Sequence, residues 1–236
     1  MKIESELSTI VDNIVGVGWT ERDARVVPTV DTLGLANDAA KLHATVLYAD
    51  LADSTDLVNR YRPSFAAEIY KSFLRVAGRI IESEDGVITA FDGDRVMAIF
   101  LGHDRTARAA RTGLKINWAV RHVIRPRFQA VYPTTNYVLN HVVGIDDSEL
   151  YVVKGGPRGA NDLIWVGRAA NYAAKLAAKD HAFQVWLTLA AFVRLPAKLL
   201  TDNVGGYVWA IDPPNSFPDH FVWKSSHELA LESKVA

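Results

Sequence analysis

The chain has 236 residues, 49% of them hydrophobic, and its 26 Lys and Arg nearly balance 27 Asp and Glu, for a formal net charge of −1. A chain of this size can bury about 70% of its unfolded surface and needs no staple, and the absence of cysteine excludes disulfides, thiolate metal sites, iron–sulfur clusters and cysteine nucleophiles. Balanced charge leaves no overall footprint for nucleic acid, and no apolar run approaches the roughly 20 residues of a membrane helix. Glu4 and Glu6 stand where an export leader needs an apolar region, so a cytoplasmic protein that binds neither nucleic acid nor membrane is expected.

Residues 1–40 mix apolar positions with Thr20, Asp23, Arg25, Pro28 and Asp31 without a sustained period and are read as an N-terminal arm. From Ala44 to Leu51 the run is apolar enough for a buried strand, closed by Asp53-Ser54-Thr55 as a turn or cap. Phe65, Ile69, Phe73, Val76 and Ile80 recur at steps of three and four, the stripe of a helix that starts near Pro63 and ends at Gly86. Val87–Phe91 and Val96–Leu101 flank Asp92-Gly93, a dipeptide suited to a tight hairpin. A second helix is expected over 104–122. Near it Arg105, Arg108, Arg111, Lys115, Arg121, Arg125 and Arg127 gather, as a solvated helix face or a polyanion contact.

A further hairpin is expected from Tyr137–Ile145 and Glu149–Lys154 around Asp146-Asp147. Gly155-Gly156-Pro157-Arg158-Gly159 reads as a loop, and Gly167 opens an Ala-rich helix through about Ala178. Short strands near Val185–Leu187, Tyr207–Ile211 and His220–Trp223 follow, with Pro213-Pro214 as a breaker. Strand, helix, hairpin, helix, strand is the order of an α+β fold on the ferredoxin-like βαββαβ plan, an antiparallel-rich sheet with helices on one face. The expected division is an arm over 1–40, the main domain over 41–190, and C-terminal strands and tail over 191–236.

Two carboxylates fall where strands meet turns: Asp50, ending an apolar run, and Asp94, just after Asp92-Gly93. An ionised carboxylate in such a place needs a partner or a cation. Each alone fits a turn cap or an Arg partner; both together, at neighbouring strand mouths, also fit a pair of Mg²⁺ or Mn²⁺ ions. Arg168, Asn171 and Lys175 lie at i, i+3 and i+7 and so share a helix face, as a solvent-facing stripe or as a phosphate-binding set. None of the seven histidines has a ligand spacing.

Taken in order, these segments resemble class III adenylate and guanylate cyclases. Val46-Leu47-Tyr48-Ala49-Asp50-Leu51-Ala52-Asp53-Ser54-Thr55 is similar to their first metal motif and Gly93-Asp94-Arg95-Val96-Met97-Ala98-Ile99-Phe100 to their second. Trp165 to Leu176, with Gly167, Asn171 and Lys175, is similar to their catalytic helix, and the likeness spans about 44–190. The resemblance implies a nucleoside triphosphate substrate, two divalent metal ions on Asp50, Asp94 and the Leu51 carbonyl, and ribose orientation by Asn171. It also implies a homodimer whose sites are shared, with the aspartates from one subunit and the Asn and basic residue from the other. Lys175 departs from the family's Arg and offers a point charge instead of a fork; Arg168 on the same face is the candidate to compensate.

The family's two purine-reading positions fall on Ala90 and Ile164, neither of which can donate or accept a side-chain hydrogen bond. A shift of alignment would bring in Asp92 or Asp162. Tyr48 shares a strand face with Asp50, and its hydroxyl either finds a backbone carbonyl in the core or meets a smaller base, with Arg95 and Asp92 alongside. With the Arg25-Val26-Val27-Pro28 arm, this pattern resembles the bacterial pyrimidine cyclases of the Pycsar anti-phage system, whose cyclic UMP or cyclic CMP activates a separate effector. The resemblance implies a uridylate cyclase, with a cytidylate or adenylate cyclase and a non-catalytic nucleotide-binding module as alternatives.

Overall fold

The computed structural model describes residues 2–157, 160–213 and 221–231. Arg158 and Gly159 of the expected loop, Pro214 of the breaker and His220 of the last expected strand lie outside them. In chain order the elements are α1 (Lys2–Asp12), β1 (Thr20–Asp23), β2 (Asp38–Leu51), α2 (Ser54–Arg60), α3 (Pro63–Ser83), β3 (Val87–Asp92), β4 (Arg95–Phe100) and α4 (Arg105–Ala119). A π-helical turn, Val120–Ile124, joins α4 to α5 (Arg125–Val131). There follow β5 (His141–Gly155), β6 (Asp162–Val166), α6 (Arg168–Ala177), β7 (Val185–Thr188), α7 (Leu189–Phe192), a 3₁₀ turn over Ala197–Leu199, β8 (Ala210–Asp212) and β9 (Val222–Ser225).

The chain divides into two compact units, residues 1–43 with 149–167, and residues 44–148 with 168–236. In the smaller unit β1 pairs in parallel with the start of β2, Thr20 opposite Asp38, and β6 pairs antiparallel with the end of β5, Val166 opposite Tyr151. The arm therefore holds a helix and a strand where no period was expected. β1, with four residues, is too short to show one, whereas Ile3, Leu7 and Ile10 of α1 do sit at helical spacing.

The larger unit carries the expected α+β plan with one correction, since the helices are not confined to one face: α3 and α4 pack on one side of the sheet and α6 on the other. Its strands lie in the order β3-β4-β2-β5-β7-β9-β8 among the described residues, with β2–β4 and β3–β4 antiparallel and β7 parallel to β5. On one face, Leu47, Ala49 and Leu51 of β2, Val96, Ala98 and Phe100 of β4, and Val143 and Ile145 of β5 form a core with the α3 stripe and with Leu114 and Ile116 of α4. Phe73, Ile69, Ile81 and Phe100 are essentially unexposed; burying each such side chain contributes about 1.5–3 kcal/mol. The opposite face of β5 and β7 packs on α6, through Val142, Trp186 and Leu176. Gly144 makes that approach possible, because a Cβ there would lie 2.1 Å from the Ala173 carbonyl oxygen.

Two further expectations are corrected. The helix expected to stop near 122 continues to Val131, with the π turn immediately before Arg125-Pro126. Proline has no N–H for the carbonyl four residues back and would clash with it, and a wider turn relieves both. Asp146-Asp147 is not a hairpin turn, since β5 runs unbroken through it. Consecutive strand residues point to opposite faces, and each of these aspartates meets at least one guanidinium on its own side. Asp147, 1% exposed, accepts Arg105 Nε at 2.7 Å and Nη2 at 3.1 Å, Arg194 Nε at 2.9 Å and the Thr45 hydroxyl at 2.6 Å. Asp146 meets Arg168 and Thr188.

Candidate active site

The register of β2 on β4 sets Asp50 opposite Arg95 and Tyr48 opposite Met97, all on the sheet face away from the main core. The turn into β4 is closed by Gly93 at φ +61°, a conformation glycine adopts without steric penalty, and it delivers Asp94 beside the end of β2. Asp92 pairs across β3–β4 with Arg95 and accepts its Nη2 at 2.8 Å. The Arg95 guanidinium also lies 5.9 Å from the centre of the Tyr48 ring.

Asp50 and Asp92 thus both act on the Arg95 guanidinium, which Asp92 already holds, while Asp94 adds a further negative charge beside Asp50. Burial and the neighbouring Asp94 push the Asp50 carboxyl up to about 6, against a smaller pull from Arg95. Two carboxylates with incompletely neutralised charge, Asp50 and Asp94, are the kind of oxygen donor a hard divalent cation takes, although no group of three or more potential ligands gathers there among the described residues. The Tyr48 hydroxyl has no hydrogen-bond partner among the described residues, and burial raises its pKa above the ordinary phenol value.

The other candidate residues stand on α6. Ala169, Ala170, Ala173, Leu176 and Ala177 are buried, which leaves Arg168, Asn171 and Lys175 on the exposed side. Arg168 donates from Nε and Nη2 to Asp146 at 3.1 and 3.2 Å. Tyr172 lies between the two cations, 5.7 Å from the Arg168 guanidinium and 5.8 Å from the Lys175 ammonium. Sequence reading passed over this ring, although its spacing of four from Arg168 and three from Lys175 is the helical contact spacing. At the base-reading positions Ala90 is half-buried and Ile164 is 50% exposed. Asp162 caps its own strand by accepting the Leu163 N–H at 2.7 Å.

Beyond the expected set, Asp53 holds the left-handed conformation at φ 57° ahead of α2, and its carboxylate lies 3.3 Å from His181 Nδ1. The basic stretch 105–127 is largely engaged inside the protein. Arg111 and Lys115 meet the buried Glu84 at 2.9 and 2.7 Å, Arg121 meets Glu228, and Arg125 meets the Leu139 carbonyl and Asn140. A groove of 1220 Å³ runs between α3 and residues 123–128 and is lined by none of the candidate residues.

No family model matches the chain. It is 43% identical over 233 residues to a uridylate cyclase of Xanthomonas perforans, with 98% of this chain and 100% of that one covered. It is 43% identical over 228 residues to a uridylate cyclase of Burkholderia cepacia, covering 94% and 96% of the two chains. A third, of Rhodovulum sp. (strain MB263), is 37% identical over 179 residues and covers 75% of each chain. Among solved structures, the guanylyl cyclase Cya2 superposes with a TM-score of 0.66 at 16% identity, covering 80% of this chain and 93% of that one. The adenylyl cyclase CyaB from P. aeruginosa gives 0.66 at 17% identity, covering 84% and 97%. At those identities the likeness shows a shared fold.

Proposed function

The chain belongs to the uridylate cyclase family, and from that premise we propose that it converts UTP to 3′,5′-cyclic UMP and pyrophosphate. The observation that carries this reading is the end of β2, where the charge of Asp94 acts on Asp50 and Arg95 is already held by Asp92. Asp50, Asp94 and the Leu51 carbonyl would hold two Mg²⁺ or Mn²⁺ ions. Bound there, such ions neutralise triphosphate charge and make the 3′-hydroxyl proton easier to lose.

The remaining work belongs to side chains. The Asn171 amide hydrogen-bonds the ribose and holds its 3′-oxygen in line with the α-phosphorus, and the Lys175 ammonium stabilises charge that builds on the α-phosphate. The bond from the 3′-oxygen to the α-phosphorus forms as the bond to the oxygen bridging to the β-phosphorus breaks. Pyrophosphate leaves with that electron pair, and the hydroxyl proton passes to solvent. Tyr48, flanked by Arg95 and Asp92, reads the base; its unpartnered hydroxyl suits the O4 of uracil and equally the amino group of cytosine. Ala90 and Ile164 offer a purine nothing to bond.

On this reading residues 41–190 and the C-terminal strands carry catalysis, and two copies form a homodimer in which Asp50 and Asp94 of one face Asn171 and Lys175 of the other. The enzyme works in the cytoplasm, and its product is a second messenger read by a separate effector in anti-phage defence. No described helix is long and apolar enough to cross a membrane. The test is to incubate the purified chain with Mn²⁺ and, separately, ATP, GTP, CTP and UTP, and to identify products by mass. Cyclic UMP as the main product supports the reading. Cyclic CMP or cyclic AMP as the main product replaces the substrate, and nucleotide binding without product replaces the enzyme with a binding module.

A further inference from the structure

The first turn of α6 is fastened to β5 at two consecutive points. The Asp146 side chain is fully buried, its two oxygens receive Arg168 Nε at 3.1 Å and Nη2 at 3.2 Å, and the Thr188 hydroxyl donates to the same carboxylate. Arg168 Nη2 also donates to the Asp147 carbonyl at 2.7 Å. One residue on, the Ser148 hydroxyl accepts the Ala169 N–H at 2.9 Å, which satisfies one of the orphan donors of a helix start. The middle of the helix is seated on β5 at Gly144.

A helix of ten residues is marginal by itself, so its rotation about its own axis depends on such anchors. Rotation is what aims Asn171 and Lys175, three and seven residues beyond Arg168 on the exposed side. With Nε and Nη2 both held by β5, Arg168 has its fork turned to the protein. We propose that Asp146 is a positioning residue for the reaction: through Arg168 it fixes the rotation of α6 and so aims Asn171 and Lys175 at the nucleotide. Arg168 then works within this clamp and not as a phosphate ligand. The inference rests on the catalytic reading of Asn171 and Lys175.

Asp146→Asn keeps the shape and the Thr188 contact but removes the charge that holds the guanidinium, and Arg168→Gln removes the fork from the exposed side. Each is expected to lower kcat about 10- to 100-fold, the loss typical of a misaimed group, with KM for the triphosphate changed less than about twofold. The double variant should be no worse than the poorer single one, because the two residues act as a unit. Arg168→Lys should restore only part of the activity, since an ammonium cannot span both carboxylate oxygens and the carbonyl. A raised KM in Arg168→Gln together with near-normal kinetics in Asp146→Asn would make Arg168 a substrate ligand and overturn the clamp.

Co-expression separates positioning from general destabilisation. Asp146→Asn subunits should regain activity with Asp50→Ala subunits and fail to regain it with Asn171→Ala subunits. Recovery with Asn171→Ala instead would put Asp146 in the metal half of the site and overturn the proposal. Amide hydrogen exchange over residues 169–175 is the readout independent of catalysis and should quicken in both single variants. If the wild type makes no cyclic nucleotide, the cyclase reading fails and exchange alone decides the clamp, which unchanged protection of α6 in Asp146→Asn would overturn.

Discussion

The larger unit holds two sets of acidic side chains at the β2–β5 part of its sheet, and their surroundings are opposite. Around Asp146 and Asp147, buried carboxylates are met by Arg168, Arg105 and Arg194 and by the hydroxyls of Thr45, Thr106 and Thr188. Beside Asp50 the Arg95 guanidinium is already held by Asp92, and Asp94 adds a like charge. A buried carboxylate matched by forks and hydroxyls is a completed structural element, whereas one that shares a site with another carboxylate carries charge still to be neutralised. The same residue type therefore anchors helices in one place and, in the other, keeps charge that the proposed metal ions would neutralise.

The strongest way to break this comparison is to remove each kind of acid. Asp50→Ala or Asp94→Ala should abolish cyclisation while the protein stays folded, with Tm unchanged or higher because a carboxylate repulsion is relieved. Product formation by either variant at saturating Mn²⁺, in the mass assay, would remove the metal role. Asp147→Ala should do the reverse and destabilise the fold by about 3–5 kcal/mol, since Arg105 and Arg194 lose their buried counter-charge; denaturant unfolding measures it. A loss below about 1 kcal/mol, the range of exposed pairs, would mean that the network is not an anchor.

A smaller effect tests the border of the open set. Tyr48→Phe keeps almost the same volume and removes one hydroxyl, so it should weaken kcat/KM for UTP by about 5- to 150-fold, the equivalent of about 1–3 kcal/mol for an unmet buried hydrogen bond, and change ATP far less. Equal losses for UTP, CTP and ATP would assign Tyr48 to supporting the site without reading the base.

A pH-dependent effect lies on the same strand as the completed set. His141 is fully buried, neither ring nitrogen has a hydrogen-bond partner among the described residues, and burial followed by Arg125 and Arg121 lowers its pKa to about 3. The folded state thus holds it neutral while the unfolded chain takes up a proton near 6.5. Its contribution is fully present above pH 6.5 and is lost as pH falls, at up to about 1.4 kcal/mol per pH unit from this group. His141→Phe should flatten that slope between pH 6 and 4 in urea titrations; an unchanged slope would assign the acid sensitivity to other groups.

What could be read from the sequence follows the reach of local patterns. The hairpin of β3 and β4 was legible because Asp92-Gly93 states its turn, and α3 and α6 because their apolar residues recur at helical steps. Tyr48, Asp50 and Arg95 could be placed on one face from strand alternation and hairpin register. Asp146-Asp147 was misread as a turn because its cations lie far along the chain, Arg105 being 42 residues away, and polarity alone cannot distinguish an aspartate in a turn from one buried against a guanidinium. The basic stretch was misjudged for the same reason, its partners Glu84, Asp147 and Glu228 being distant in sequence. The likeness of three ordered motifs to class III cyclases carried further than any periodicity and agrees with the relatives and the fold.

The most direct test of the claim that the open acids form half of a shared site is complementation. Subunits carrying Asp50→Ala and subunits carrying Asn171→Ala, each inactive alone, are co-expressed, mixed dimers are confirmed by dual affinity tags, and UTP cyclisation is measured. Half of a random population is mixed and each mixed dimer keeps one intact site of two, so about a quarter of wild-type activity should return. Confirmed mixed dimers with no recovered activity would contradict the account and place Asp50 and Asn171 in the same site of a single chain.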